Sequence, residues 1–124
     1  LLNAYILLSE YYQSKNHKQK SLHTSALGAL TGFTKILSVV SNRNPEFKYT
    51  NLGALFEEAS LYPDIIEWGI NNSVWMGFYQ FAEQAQKNDY PIFAKQMYNV
   101  LKDYSPEEYW RDAANTRLQE LNIN

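Results

Sequence analysis

The 124-residue chain contains no cysteine, and only five of its residues are glycine and four are proline. Without cysteine the chain has no disulfides, no thiolate nucleophile and no cysteine-ligated zinc site. The scarcity of glycine and proline leaves few turn signals, so a fold built from many short strands is not indicated.

Charge of one sign and long apolar runs are also lacking. Eleven basic and 13 acidic residues give a formal charge of −2, so no strong field favours binding to nucleic acid or to acidic lipid. The apolar run Leu1–Leu8 is interrupted by Asn3, is too short to span a bilayer and lacks the basic flank of a signal peptide. We therefore expect neither nucleic-acid binding nor membrane insertion. Because the first residue is not Met, we expect a processed chain or a fragment.

Hydrophobic residues are abundant, at 45% of the chain, and include ten Tyr, six Phe and three Trp. A chain of this length can bury roughly two-thirds of the surface it exposes when unfolded, so one domain whose core needs no disulfide or metal cross-link is feasible. Trp68, Trp75 and Trp110 are the largest side chains, and we expect them in that core.

Apolar residues recur at three- and four-residue steps through most of the chain, which is the spacing of one helical face. The clearest example starts at Leu22 and stops before Pro45, which disfavours helical backbone in the preceding residue. A β-strand over residues 36–40 is the alternative, but the stripe is too long for it. The predicted inward residues of this helix are Leu22, Ala26, Ala29, Leu30, Phe33, Leu37 and Val40.

The same spacing predicts an all-α fold of about seven helices in one domain, residues 1–124. Asp89 is predicted to cap the sixth helix, and Ser105-Pro106-Glu107-Glu108 has the form of a capping box that opens the seventh. The predicted helices are Asn3–Lys15, Leu22–Val40, Tyr49–Leu61, Pro63–Ile70, Val74–Lys87, Tyr90–Tyr104, and a last one from the capping box to Leu121.

Three of the predicted helices share an order of side chains: aromatic, large apolar, small, then aromatic. The copies are Tyr5-x-x-Leu8-Ser9-x-x-Tyr12, Tyr49-x-x-Leu52-Gly53-x-x-Phe56 and, less well, Trp75-x-x-Phe78-Tyr79-x-x-Ala82. This order resembles the first helix of the tetratricopeptide repeat, W-x-x-L-G-x-x-Y. Ala94, Tyr98, Leu101 and Pro106 are similar to the second helix of that repeat.

The resemblance implies three antiparallel helix pairs and a terminal helix, stacked as an α-solenoid. The copies begin at residues 5, 49 and 75, whereas the family repeats every 34 residues. An irregular helical bundle is therefore the alternative architecture.

The family binds peptides in a groove lined by one side of its first helices. On the fifth predicted helix that side carries Met76, Tyr79, Glu83 and Gln86, and aromatic anchors dominate many binding surfaces. We therefore predict a non-catalytic protein–protein interaction module, scaffold or adaptor, with these four residues binding a protein or peptide partner. An ordinary solvated face is the alternative for these residues. The alternative function is a helical regulatory domain that encloses a small apolar molecule.

The N-terminal helix is apolar on nearly every side. Tyr5, Leu8 and Tyr12 are predicted to face the core. The side formed by Leu1–Leu2 and Ile6–Leu7 is then expected to pack on a partner subunit or on a helix outside this chain.

No catalytic, cofactor or metal site is predicted. His17 and His23, the two histidines, have no acidic residue close in sequence, and a zinc site needs three or four ligands. The neighbouring carboxylates of Glu57–Glu58 and Glu107–Glu108 point about 100° apart on a helix, so neither pair converges for acid–base chemistry. The sequence also lacks a glycine-rich phosphate loop.

Overall fold

The computed structural model of the chain describes residues 2–123, and every regular element in that range is an α-helix. The all-α prediction is therefore confirmed, and residues 36–40 lie within a helix rather than a strand. The helices are α1 (Leu2–Ser14), α2 (Lys18–Arg43), α3 (Leu52–Ala59), α4 (Pro63–Asn71), α5 (Val74–Lys87), α6 (Pro91–Tyr104) and α7 (Glu108–Ile123). Over this part of the chain, none of the helices has the length and apolar content needed to cross a bilayer.

Five helices pack as a row in the order α1, α2, α5, α6, α7. Tyr5 lies beside Gly28 and Ser9 beside Ser21, so α1 and α2 run antiparallel. The α5–α6 pair is antiparallel as well. The shorter helices bridge this row, because α3 contacts α2 and α6 while α4 contacts α2 and α5.

Helix α5 is the centre of the fold and contacts α1, α2, α4, α6 and α7. Its Phe78 ring packs edge-on against Phe56 of α3, with ring centroids 5.2 Å apart, and Trp75 is 1% exposed. Val74, Phe78, Ala82 and Ala85 are buried, whereas Phe81 is half-buried. Trp75 lies in the core as predicted.

The inward face of α1 differs from the prediction. Leu2, Ile6 and Ser9 are buried within this chain, whereas Leu8 is 42% exposed and Tyr5 and Tyr12 are half-buried. The prediction that the side with Leu2 and Ile6 packs on something outside the chain was therefore wrong for those two residues, although Leu7 is exposed; Leu1 lies outside the described residues. The buried face of α1 differs because Ser9 and Ser21 form hydrogen bonds with each other inside the α1–α2 contact. The periodicity of apolar residues does not reveal such a polar pair.

The inward face of α2 is also rotated relative to the prediction. Its buried residues are mostly small or hydroxylated: Ser21, Thr24, Ser25, Gly28, Ala29, Gly32, Ile36 and Val40. The predicted stripe shares Ala29 and Val40 with this face. Leu22, Ala26, Phe33 and Leu37 are only half-buried, and Leu30 is 56% exposed. Small side chains let α1 approach this face closely, so the apolar stripe turns away from that contact.

Three local predictions also require correction. Helix α3 begins at Leu52 rather than Tyr49, because the Asn51 side chain accepts a hydrogen bond from the Ala54 amide at 2.8 Å and caps the helix. Tyr90, not Asp89, is the N-cap residue of α6. Ser105 bonds the Glu107 amide at 3.2 Å, two residues ahead, so it makes a local turn instead of the predicted capping box, and α7 begins at Glu108.

Gly69 of α4 is required by the position of the Trp75 ring. A methyl group at residue 69 would lie 2.4 Å from two carbon atoms of that ring, well inside van der Waals contact. Gly77 of α5 is a matched case without this constraint, since its added Cβ would meet Leu2 at 3.8 Å, an ordinary contact.

We expect Gly69→Ala to lower the free energy of unfolding by about 1–3 kcal/mol, because the added methyl group would displace an indole that is 1% exposed and packed in the core. Gly77→Ala is expected to raise it by about 0.5–1 kcal/mol, because alanine loses less backbone entropy in a helix. Urea denaturation monitored by circular dichroism measures both values. Equal effects of the two substitutions would contradict the packing described for Trp75.

Candidate functional site

The main open feature of the described surface is a trough between α2 and α6. These two helices flank α5 but do not contact each other, so the side of α5 between them is covered only where another element fills the gap. Helix α3 fills one end, where its Phe56 ring packs against Phe78 and Trp75 of α5. Beyond α3 the gap is open, and we call this open part the trough.

The trough consists of two adjoining depressions, with volumes of about 480 Å³ and 440 Å³, that share Ala26, Phe81 and Phe93. Its walls and floor come from three helices. The principal lining residues are Leu22, Ala26, Leu30 and Phe33 of α2, Phe78, Phe81 and Ala85 of α5, and Tyr90, Phe93 and Met97 at α6, with Tyr49 and Leu52 closing the α3 end.

The chemistry of the trough is apolar. Its lining contains no Asp, Glu, Lys or Arg side chain, and the polar groups are those of Gln19, His23 and the two tyrosines. Leu30 and Tyr90 are each 56% exposed and Phe93 is 37% exposed. A contiguous exposed apolar surface of this kind is suited to binding.

The sequence contained a signal for this site, although it indicated a different role. The apolar stripe from Leu22 to Phe33 was predicted to be core, but it forms one wall of the trough. Phe81 and Phe93 form part of the floor and the opposite wall. Periodicity identifies an apolar face correctly and cannot show whether the chain itself supplies a partner for it.

The residues predicted to bind a partner lie on a different side of α5, against α6 and α7. Tyr79 packs between Tyr98 of α6 and Trp110 of α7, with ring centroids 5.7 Å and 5.2 Å away. Arg117 of α7 donates to the Tyr79 hydroxyl at 2.9 Å and to a Glu83 carboxylate oxygen at 2.5 Å. This bonding, led by the Tyr79 contact, raises the pKa of the Arg117 guanidinium above its usual value.

Gln86 also bonds within the chain, because its side-chain oxygen accepts a hydrogen bond from the Tyr98 hydroxyl at 3.0 Å. Met76 is exposed at the edge of this side. Three of the four predicted residues thus hold α5 to α6 and α7, and sequence spacing alone gave no sign of their contacts with Tyr98 and Arg117, which lie 12 to 38 residues away in the chain.

Potential metal ligands are scattered over the described residues, which contain no group of three or more His, Asp or Glu side chains placed to hold an ion. His23 lies at the trough, and the His17 ring packs edge-on against Tyr12 in the α1–α2 link. Of the neighbouring carboxylates, Glu58 accepts hydrogen bonds from Asn44 and Tyr62, and burial raises the pKa of the Glu107 carboxyl above its usual value.

Burial raises the pKa of the Tyr98 hydroxyl above its ordinary value near 10. The neutral phenol is therefore favoured in the folded protein, so its contribution to stability is complete below about pH 10 and is lost as the pH rises from there towards the folded-state pKa. We expect the free energy of unfolding to fall by up to about 1.4 kcal/mol for each pH unit above this point through Tyr98 alone.

The variant Tyr98→Phe tests whether burial of the Tyr98 hydroxyl makes stability depend on pH in this way. At pH 8 the variant should be less stable by about 0.5–1.5 kcal/mol, because the hydrogen bond to Gln86 is lost. Between about pH 10 and 11 this deficit should shrink, since phenylalanine does not ionise. The exposed Tyr109→Phe is the control and should follow the wild-type curve in urea denaturation. A Tyr98→Phe deficit that stays constant across this range would contradict the burial argument.

Comparison of the chain with protein-family models, with curated proteins and with solved structures gives no significant match. Two structural features of the chain therefore bear on its function: the trough on one side of α5, and the hydrogen-bonded cluster of Tyr79, Glu83 and Arg117 on another side.

Proposed function

We propose that this chain is a non-catalytic protein–protein interaction module, a scaffold or adaptor built from packed helical hairpins, whose trough binds an apolar segment of a partner protein. The observation that carries the proposal is the α2 wall of the trough, where the rest of the described chain leaves Leu22, Ala26 and Phe33 half-buried and Leu30 exposed. Leaving so contiguous an apolar surface in water is unfavourable, and a partner that covers it would gain the corresponding free energy.

The expected strength of binding is that of a reversible contact. Full burial of a large apolar side chain is worth about 1.5–3 kcal/mol relative to full exposure. Leu30, Tyr90 and Phe93 are each one-third to a little over one-half exposed, so covering each contributes roughly 1 kcal/mol. Part of this gain offsets the entropy that the two partners lose on association.

The trough supports this function better than the residues first predicted for it. Tyr79, Glu83 and Gln86 already use their polar groups in bonds to α6 and α7, and a partner would have to compete with those bonds. Within residues 2–123, the side chains that line the trough form no hydrogen bonds that a partner would have to displace. The resemblance to tetratricopeptide repeats is part of the proposal only in its general form, a stack of hairpins that presents a groove.

The alternative function is a regulatory domain that binds a small apolar molecule in the same place. Each of the two depressions has a volume in the range of small-molecule sites, about 300–1,000 Å³. Both are open surface depressions with few polar groups to orient a ligand, whereas small-molecule sites usually combine enclosure with a few placed polar groups. This observation favours the protein partner.

Selection from a displayed library of random sixteen-residue peptides tests the proposal. We expect Leu30→Ser and Phe93→Ser each to weaken the selected peptides by about tenfold, while Leu61→Ser, an exposed leucine in the α3–α4 link, leaves binding unchanged. Fluorescence anisotropy measures the affinities. Failure to select any peptide whose binding depends on Leu30 and Phe93 would contradict the proposal, and displacement of a hydrophobic dye by lipid-like compounds alone would favour the alternative.

A further inference from the structure

Helix α3 shows what kind of element fits between α2 and α6. It is an eight-residue helix that contacts both flanking helices and places Phe56 against α5. Its other inward residues, Leu55 and Ala59, are fully buried. Helix α3 thus already occupies part of the gap between α2 and α6. The trough continues this gap beyond Leu52.

The open part of the gap has the dimensions of a further short helix. The α2 wall from Leu22 to Phe33 spans eleven residue steps, about 17 Å at 1.5 Å per residue. A helix of about three turns has this length, and its apolar residues at i, i+3, i+4 and i+7 would face the floor at Phe81 as Phe56 faces Phe78. A single extended strand in the same place would leave its backbone N–H and C=O groups against apolar walls without partners.

The end of the trough remote from α3 is basic. Lys18 stands in the first turn of α2, beside the Gln19 that lines the trough, whereas the Lys20 ammonium lies over the Tyr12 ring of α1, 5.6 Å from its centroid. The Asn88 side chain donates to the Lys18 carbonyl oxygen at 3.2 Å, which brings Lys87 at the end of α5 to the same end. Among the described residues, none of these three lysines forms an ion pair, and Asp89 is the one carboxylate in the α5–α6 link.

The helix dipole does not explain Lys18, because cations are unfavourable at a helix N-terminus and α2 has no acidic residue in its first turn. Anionic groups on a bound partner would compensate this positive charge. The trough thus has an apolar floor suited to a helix and a positively charged end suited to acidic residues.

We infer that the trough binds an amphipathic α-helix of about three turns from another protein, with an apolar stripe against Phe81 and Phe93 and with acidic residues at the end beside Lys18. This inference rests on the proposed function and names the partner's chemistry. Apolar burial provides most of the affinity, and the lysines select the acidic partner and fix the direction in which it lies.

The sequences selected from the peptide library test the helical part. We expect apolar residues at i, i+3, i+4 and i+7, enrichment of Asp and Glu near one end, and induction of helical circular dichroism when a selected peptide binds. Replacing a central solvent-facing residue of that peptide by Pro should weaken binding at least tenfold. Trough-dependent peptides that tolerate Pro, or that alternate with a period of two, would overturn this inference while leaving the proposed function intact.

Charge reversal tests the electrostatic part. Lys18→Glu should weaken binding of the acidic selected peptide at least threefold at low salt and make its affinity less dependent on ionic strength. Lys95→Glu on α6 changes the net charge of the protein equally and should have a much smaller effect. Lys18→Glu adds an acidic residue to a helix N-terminus, which the helix dipole favours. Equal effects of the two variants would overturn the proposed role of Lys18.

Discussion

The close contact between α1 and the small-residue face of α2 determines how the rest of the molecule is arranged. Ser9 and Ser21 are both buried, and each hydroxyl donates to the carbonyl oxygen of the other residue at 2.9 Å. One helical turn further, Tyr5 packs so closely on Gly28 that an added Cβ would lie 3.1 Å from it. Each buried hydrogen bond is worth about 1 kcal/mol, and an unpaired hydroxyl there would cost more, so this rotation of α2 is strongly specified.

That rotation has a consequence on the opposite side of α2. Because the small residues face α1, the large apolar residues from Leu22 to Phe33 face the gap between α2 and α6, where α3 covers only one end. Helix α5 then has two sides with different roles. One side is fixed to α6 and α7 through Tyr79, Glu83 and Arg117, and the other forms the floor of an open trough. The side of α5 held to α6 and α7 is structural, and the open side is where we propose that a partner binds.

Sequence patterns predicted the helices well because a 3.6-residue apolar period and Pro63 directly reflect local backbone preferences. They predicted the inward faces of α1 and α2 poorly, since Ser9, Ser21, Gly28 and Gly32 are buried for close approach and for mutual hydrogen bonding rather than for hydrophobicity. The candidate site was missed for the same reason. The stripe at Leu22 was visible, but its lack of a partner depends on where α6, some 70 residues later in the chain, comes to lie.

The central claim, that α2 turns its small residues inward and its leucines outward, has a direct test because the chain has no native cysteine. Single-cysteine variants Leu30→Cys and Ser25→Cys differ by five positions on the same helix, and Ser25 is 1% exposed. The account predicts that the thiol at residue 30 reacts with a disulfide reagent at nearly the rate of an unfolded peptide, and that the thiol at residue 25 reacts at least a hundredfold more slowly. Comparable rates, or faster labelling at residue 25, would contradict it.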